Sequence, residues 1–224
     1  MSRIAMSLPD ALRLYFIVGR ADCGDRPLDW VVEQAALGGA TAVQLREKHA
    51  DSHAVAALAA SLQKKLDPLG IPLIINDDLE AALISKASGL HVGQDDLPVA
   101  EARRKLPTDC RLGLSITKHS EAEAAAGSAA DHLGIGPVFP TGSKPDAAPA
   151  MGLSGLAEIR ALRPELPAVA IGGITRERAA DVMRCGVDGI AVVSALAAAP
   201  NPRTAAHALR CIVDQTLSER TKTA

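Results

Sequence analysis

Eight short apolar runs, each followed by an Ala-rich stretch of helical character, set the narrowest limit on what this chain can fold into. Such alternation marks βα units, because a parallel strand is covered on both faces and needs a helical crossover to reach its neighbour. The pattern predicts strands at residues 14–18, 42–46, 72–76, 89–92, 111–115, 132–136, 168–171 and 189–193. Helices are expected near 28–38, 52–67, 79–86, 98–106, 120–128, 154–162, 175–184 and 203–217, with Ser154 and Thr175 as N-caps. Eight units in 224 residues fit a single (β/α)8 TIM barrel of the α/β class. The alternative is a doubly wound open sheet, but no GxGxxG turn follows the first strand, where Gly19-Arg20-Ala21-Asp22-Cys23-Gly24 stands. One domain over residues 1–224 is expected, ordered from about 11 to 217, with a short polar tail.

Charge and aromatic content exclude several kinds of partner. A net charge of −2, with Tyr15, Phe16, Trp30 and Phe139 as the whole aromatic complement, argues against nucleic acid, which wants a basic face and stacking rings. No apolar segment approaches the roughly 20 residues that span a bilayer, and Met1 to Asp10 lacks a signal-peptide core, so no membrane partner and a cytoplasmic location are expected. A homo-oligomer is compatible with the sequence. Cys23, Cys110, Cys185 and Cys211 form no CxxC pair and read as buried free thiols. The six histidines carry no metal-ligand spacing and read as uninformative.

The chemistry collects at the C-terminal ends of the expected strands. Leu73-Ile74-Ile75 ends in Asn76-Asp77-Asp78, and Leu90-His91-Val92 ends in Gly93-Gln94-Asp95-Asp96, so neighbouring strands present Asp77 and Asp96 at one edge. Oxygen ligands of this kind suit Mg2+, held by one or two carboxylates plus substrate phosphate. Aspartates just before helices also cap them, and spacing alone leaves both readings open. On the second strand Gln44, Arg46 and Lys48 alternate with Leu45 and Glu47 and share one face, which invites an anion; the plain alternative is a strand end with charged heads in water.

Near the C-terminus, Ala170-Ile171-Gly172-Gly173-Ile174 and Gly189 to Ser194 end strands seven and eight. Those two loops with a short extra helix, expected at Ala195 to Ala199, often make a backbone phosphate site in barrels. A tight turn needing glycine is the other reading. Pro137 to Gly152 carries four prolines and no periodicity, which is either a lid over the site or tolerated surface. Its middle, Thr141-Gly142-Ser143-Lys144, holds two hydroxyls and a cation.

Taken in order, these segments resemble the thiamine phosphate synthase family. The resemblance runs from about Leu14 to Pro200 and rests on Gln44-Leu45-Arg46-Glu47-Lys48, Ile75-Asn76-Asp77-Asp78, His91 to Asp96, Gly113-Leu114-Ser115, Gly136 to Thr141, Ala170 to Ile174 and Val192-Val193-Ser194. It implies a transferase that joins a hydroxymethylpyrimidine diphosphate to a thiazole phosphate, releasing pyrophosphate. The pyrimidine diphosphate would be held by Gln44, Leu45, Arg46, Glu47, Lys48, Asn76, Ser115 and Lys144. Among these, Arg46, Lys48, Ser115 and Lys144 would carry the catalysis. Thr141, Gly142, Ser143, Gly172, Gly173, Val193 and Ser194 would hold the thiazole phosphate, and Asp77 and Asp96 would bind Mg2+.

Three departures stand out. Ser143 replaces a common threonine, the segment Ile116-Thr117-Lys118-His119 after Ser115 is longer than usual, and Gly19-Arg20 replaces a common Thr-Asp. A related thiazole tautomerase would need a proton-carrying histidine where this chain has Pro137, and proline cannot serve. A non-catalytic barrel that only binds the phosphate is the second rival.

Overall fold

The apolar runs close into one ring. A computed structural model gives the structure of the chain and describes residues 7–143 and 148–223. Strands β1 (Leu14–Val18), β2 (Ala42–Leu45), β3 (Leu73–Asn76), β4 (Gly89–Val92), β5 (Arg111–Ile116), β6 (His132–Ile135), β7 (Ala168–Ile171) and β8 (Gly189–Val192) pair in chain order. All are parallel, and β8 returns to β1 with Leu14 opposite Ile190 and Phe16 opposite Val192. Closure removes both edge strands, so the open-sheet alternative fails. The helices are α1 (Leu8–Leu12), α2 (Leu28–Leu37), α3 (Ser52–Leu66), α4 (Leu79–Ser85), α5 (Val99–Lys105), α6 (His119–Ala124), α7 (Gly152–Leu162), α8 (Arg176–Arg184), α9 (Ser194–Ala197) and α10 (Pro202–Thr223).

Strand alternation builds two cores. In β1, Leu14, Phe16 and Val18 point outward and pack with Val31, Leu62, Leu90 and Ile190 beneath the helices. Tyr15 and Ile17 point inward and meet Ala42, Ile74, Val169 and Ala191 inside the ring. The inward set is not purely apolar, since Gln44, His91 and His132 are also buried and share its parity. A barrel interior is a packed core, so polar side chains there require partners or a ligand.

Several boundaries differ from those expected, each for a local reason. Helix α1 was not foreseen; Ser7 caps it, accepting from Asp10 N at 3.3 Å. Helix α7 starts at Gly152 with Met151 at the N-cap, which puts Ser154 inside it, and Thr175 stands at the N-cap of α8 without a capping bond from its hydroxyl. The C-terminal stretch expected to fray continues as helix to Thr223. Arg220 holds it there, donating to Val187 O at 2.6 Å and to Gly186 O at 3.2 Å just beyond α8. The cysteines divide: Cys23 and Cys110 are buried, Cys185 is half-buried and Cys211 is exposed. Among the described residues no helix is long and apolar enough to cross a membrane.

Candidate active site

A cavity of about 450 Å³ opens where the C-terminal ends of the strands converge, within the size range of small-molecule sites. One wall comes from β2, β3 and β4. Gln44, Arg46 and Lys48 line it, as their common parity requires. Leu45 and Glu47, expected beside the diphosphate, do not. Leu45 turns outward into the helix-covered core, and the Glu47 carboxylate accepts from Arg20 N at 2.6 Å, tying down the loop after β1. Gly19 in that loop is sterically required, because a Cβ there would sit 2.3 Å from Arg46 O. Gln44 Nε2 donates to the Tyr15 hydroxyl at 3.0 Å on the cavity floor. Arg46 Nη2 is buried and has no hydrogen-bond partner among the described residues.

The two aspartates after β3 do different things. Asp78 caps α4, its carboxylate accepting from Ala81 N at 2.8 Å. Asp77 has φ 62°, a left-handed backbone that aspartate tolerates and that concentrates at functional sites, and it faces the cavity. Its amide donates to His91 O at 2.8 Å, and its carboxylate accepts from Asn76 Nδ2 at 2.5 Å. Across from it Asp96 accepts from Gly93 N at 2.7 Å, and α5 has Pro98 at its N-cap, so neither Asp95 nor Asp96 caps a helix. Burial first, then the hydrogen bond and charge of Asp96, push the Asp77 carboxyl up to about 7 against the pull of Asn76 and Arg46. Two carboxylates this close, with Asp77 raised by its neighbour, make a donor set complementary to a hard divalent cation.

Ser115 on β5 lines the middle of the cavity and is held from two sides. His91 Nε2 lies 3.0 Å from its Oγ, and Gln94 Nε2 donates to its carbonyl at 2.6 Å. The longer segment after it is absorbed locally: Thr117 N donates to Glu121 at 2.7 Å, so the extra residues close into the start of α6 and leave β5 in register. Burial pulls the His91 imidazole down to about 4 and the His132 imidazole down to about 3, keeping both neutral.

The opposite wall belongs to β7 and β8. Gly172 and Gly173 have φ 103° and 60°, and a Cβ on either would strike the Pro137–Pro140 segment at 2.5 or 2.6 Å. Both needs, positive φ and close approach, select glycine. Val193 and Ser194 complete this wall, and Ser194 opens the short helix α9, one residue earlier than expected and ending at Ala197. The long connection after β6 is rooted here, with Phe139 N donating to Gly172 O at 3.0 Å. Arg178 lies 4.5 Å over the Phe139 ring and donates to Gly173 O at 2.8 Å, so it clasps both loops. Thr141 and Ser143 from one arm of the connection and Ala148 from the other reach the cavity, while Gly142 is exposed beside it. Lys144 lies outside the described residues.

Tyr15, Gln94 and Thr117 also line the site, although the sequence suggests no role for them. Tyr15 sits inside an apolar run and gives no signal. Gln94 was legible as a polar residue directly after a buried strand.

Fold and mouth together define a (β/α)8 barrel with a cationic and carboxylate wall facing a glycine-lined wall, the form of a phosphate-handling enzyme. Residues 14–196 match the family described as thiamine monophosphate synthase, and the chain belongs to that family. It is 48% identical over 204 residues to the thiamine-phosphate synthase of Chloroflexus aurantiacus, covering 91% of this chain and 94% of that protein. The thiamine-phosphate synthase of Albidiferax ferrireducens is 44% identical over 204 residues, covering 91% and 93%. A solved thiamine phosphate pyrophosphorylase from Pyrococcus furiosus superposes with a TM-score of 0.86 at 36% identity, covering 94% of this chain and all of that one.

Proposed function

We propose that the chain is a working thiamine-phosphate synthase, joining a pyrimidinylmethyl diphosphate to a thiazole phosphate with release of pyrophosphate. The observation that carries this reading is Arg46 Nη2, buried at the cavity wall with no partner among the described residues. A buried guanidinium N–H left without an acceptor is a donor set aside for a ligand, and a diphosphate is an anion whose second phosphate would also engage Lys48. Asp77 and Asp96 fit Mg2+, which when bound supplies positive charge to a departing diphosphate.

The chain's own residues divide the work. Arg46, Lys48 and Ser115, with Asn76, bind and orient the diphosphate, and Lys144 joins them by family resemblance. Departure of the diphosphate leaves a methylene cation stabilised by the electron-rich aminopyrimidine, so no protein nucleophile is needed. What the protein must supply is stabilisation of charge on the leaving group, the electrostatic term that usually dominates. Gly172, Gly173, Val193 and Ser194, with Thr141 and Ser143, hold the thiazole phosphate on the facing wall and bring its ring nitrogen within reach. Thr141, Ser143 and Ala148, from the described arms of the connection after β6, line the mouth, and a lid formed there would keep water from the cation. Pro137, at the position where a tautomerase would keep its histidine, offers no proton carrier at that point of the wall.

The test mixes purified protein, the pyrimidine diphosphate, thiazole phosphate and Mg2+, with an EDTA control and chromatographic detection. Metal-dependent thiamine phosphate is the expected product. Absence of product with thiazole phosphate still bound by calorimetry would leave only a binding barrel. In the same assay Ser194→Ala is expected to raise KM for thiazole phosphate roughly tenfold, one hydrogen bond to a charged group, with KM for the diphosphate unchanged.

A further inference from the structure

The ladder between β4 and β5 stops one residue short of Ser115. Val92, the last residue of β4, stands opposite Leu114, and beyond it the chain leaves the sheet through Gly93. Strand β5 runs on to Ile116, whose carbonyl accepts from Gly136 N, just beyond β6, at 3.0 Å. Successive carbonyls of a strand face opposite neighbours, so the Ser115 carbonyl faces the β4 side, at a level that β4 no longer reaches.

Gln94 closes that gap with its side chain. Its Nε2 donates to Ser115 O at 2.6 Å, and because a carbonyl only accepts, this is the one orientation of the amide that makes the bond. The Ser115 hydroxyl is met from the same strand, with His91 Nε2 lying 3.0 Å from Oγ. Gln94 also begins a tight turn, closed by the bond from Gly93 N to the Asp96 carboxylate at 2.7 Å. A Cβ at Gly93 would come within 2.8 Å of that carboxylate oxygen, so the turn is drawn in as far as glycine permits. The turn is therefore held from within by Asp96 and from outside by β5. A tether of this kind removes the freedom of a turn to pivot before any ligand arrives, and groups that orient metal donors act in the same way.

We infer that Gln94 is a positioning residue: its amide fixes the Asp96 turn against β5, so that the Asp96 carboxylate and the Ser115 hydroxyl meet the diphosphate and its Mg2+ as one unit. The inference rests on the synthase reading, which places both groups on the diphosphate wall. Binding of thiazole phosphate, on the facing wall from β7 and β8, is independent of the tether.

The test begins on substrate-free, metal-free protein labelled with 13C and 15N. One Gln94 side-chain amide proton is expected to resonate apart from those of freely solvated glutamines and to exchange slowly. The Ser115 carbonyl 13C resonance is expected to move in Gln94→Met, which keeps the length of the side chain and removes the donor. A Gln94 amide like the solvated ones, or a Ser115 carbonyl unmoved by Gln94→Met, overturns the inference. Calorimetry then reads the two walls separately. Gln94→Met, checked for an unchanged circular dichroism spectrum, is expected to bind inorganic pyrophosphate with Mg2+ about fivefold more weakly, the worth of one neutral hydrogen bond, and thiazole phosphate as wild type does. Equal weakening of both ligands would mean a general loosening of the mouth, and no weakening of either would mean that the tether positions nothing; each overturns the inference. In the synthase assay the same variant is expected to lower kcat by a similar factor with KM for thiazole phosphate held, and an unchanged kcat counts against it equally. Should the resonances and pyrophosphate affinities behave as expected while wild-type protein makes no thiamine phosphate, the synthase reading fails and the tether stands.

Discussion

Asp77→Asn is expected to leave the barrel folded and to cut turnover at saturating substrates on the order of a hundredfold or more, the cost of removing one preorganised group that stabilises charge in the transition state. Asparagine is close in shape and accepts the left-handed backbone that position 77 requires. It removes the carboxylate that burial and Asp96 already disfavour, so the melting temperature should hold or rise. The informative control is next door. Asp78→Ala removes the α4 cap and should cost about 1 kcal/mol of stability with little effect on turnover. Unchanged turnover in Asp77→Asn would end the assignment of that residue to the metal.

Arg46→Met is expected to separate stability from activity in the same way, at the other charge of the wall. The guanidinium Nη2 is buried without a partner among the described residues, and a buried ionic group replaced by an apolar one of similar length is often neutral or stabilising. Thermal denaturation of the substrate-free variant should therefore show no loss. Binding of the diphosphate should weaken by roughly 1.5–3 kcal/mol, as expected for a hydrogen bond to a charged group, and more in kcat/KM if Arg46 also follows the leaving charge. Calorimetry with inorganic pyrophosphate and Mg2+ reads the first effect without turnover. Pyrophosphate affinity equal to wild type would remove Arg46 from the anion site.

The ring was legible because buried parallel strands are apolar throughout, and that signal survives without any tertiary knowledge. Side-chain parity placed Gln44, Arg46 and Lys48 on one wall for the same reason, and should also have excluded Leu45 and Glu47, which the resemblance carried in as part of an unbroken motif. Whether Asp77 or Asp78 would cap α4 was not legible, because the answer lies in one backbone dihedral that either residue could have adopted. The tail beyond Leu217 looked polar, but the carbonyls that hold Arg220 belong to a turn more than thirty residues earlier in the chain. His91 and His132 stand out little in the sequence, because inside a strand a histidine resembles any other tolerated residue; that both are buried within the ring is visible only in the fold.

The closed ring also acts as a gauge. The carboxylate and cationic wall grows from β2 to β4 and the glycine wall from β7 and β8, on opposite arcs of a circle whose circumference is fixed by eight pairings. The gap between two bound reactants is then set by strand count and tilt rather than by loop sequence. Loops on this rim can be exchanged to accept bulkier or smaller partners while the distance across which a new bond must form stays constant. A redesign that wished to alter that distance would have to change the barrel itself.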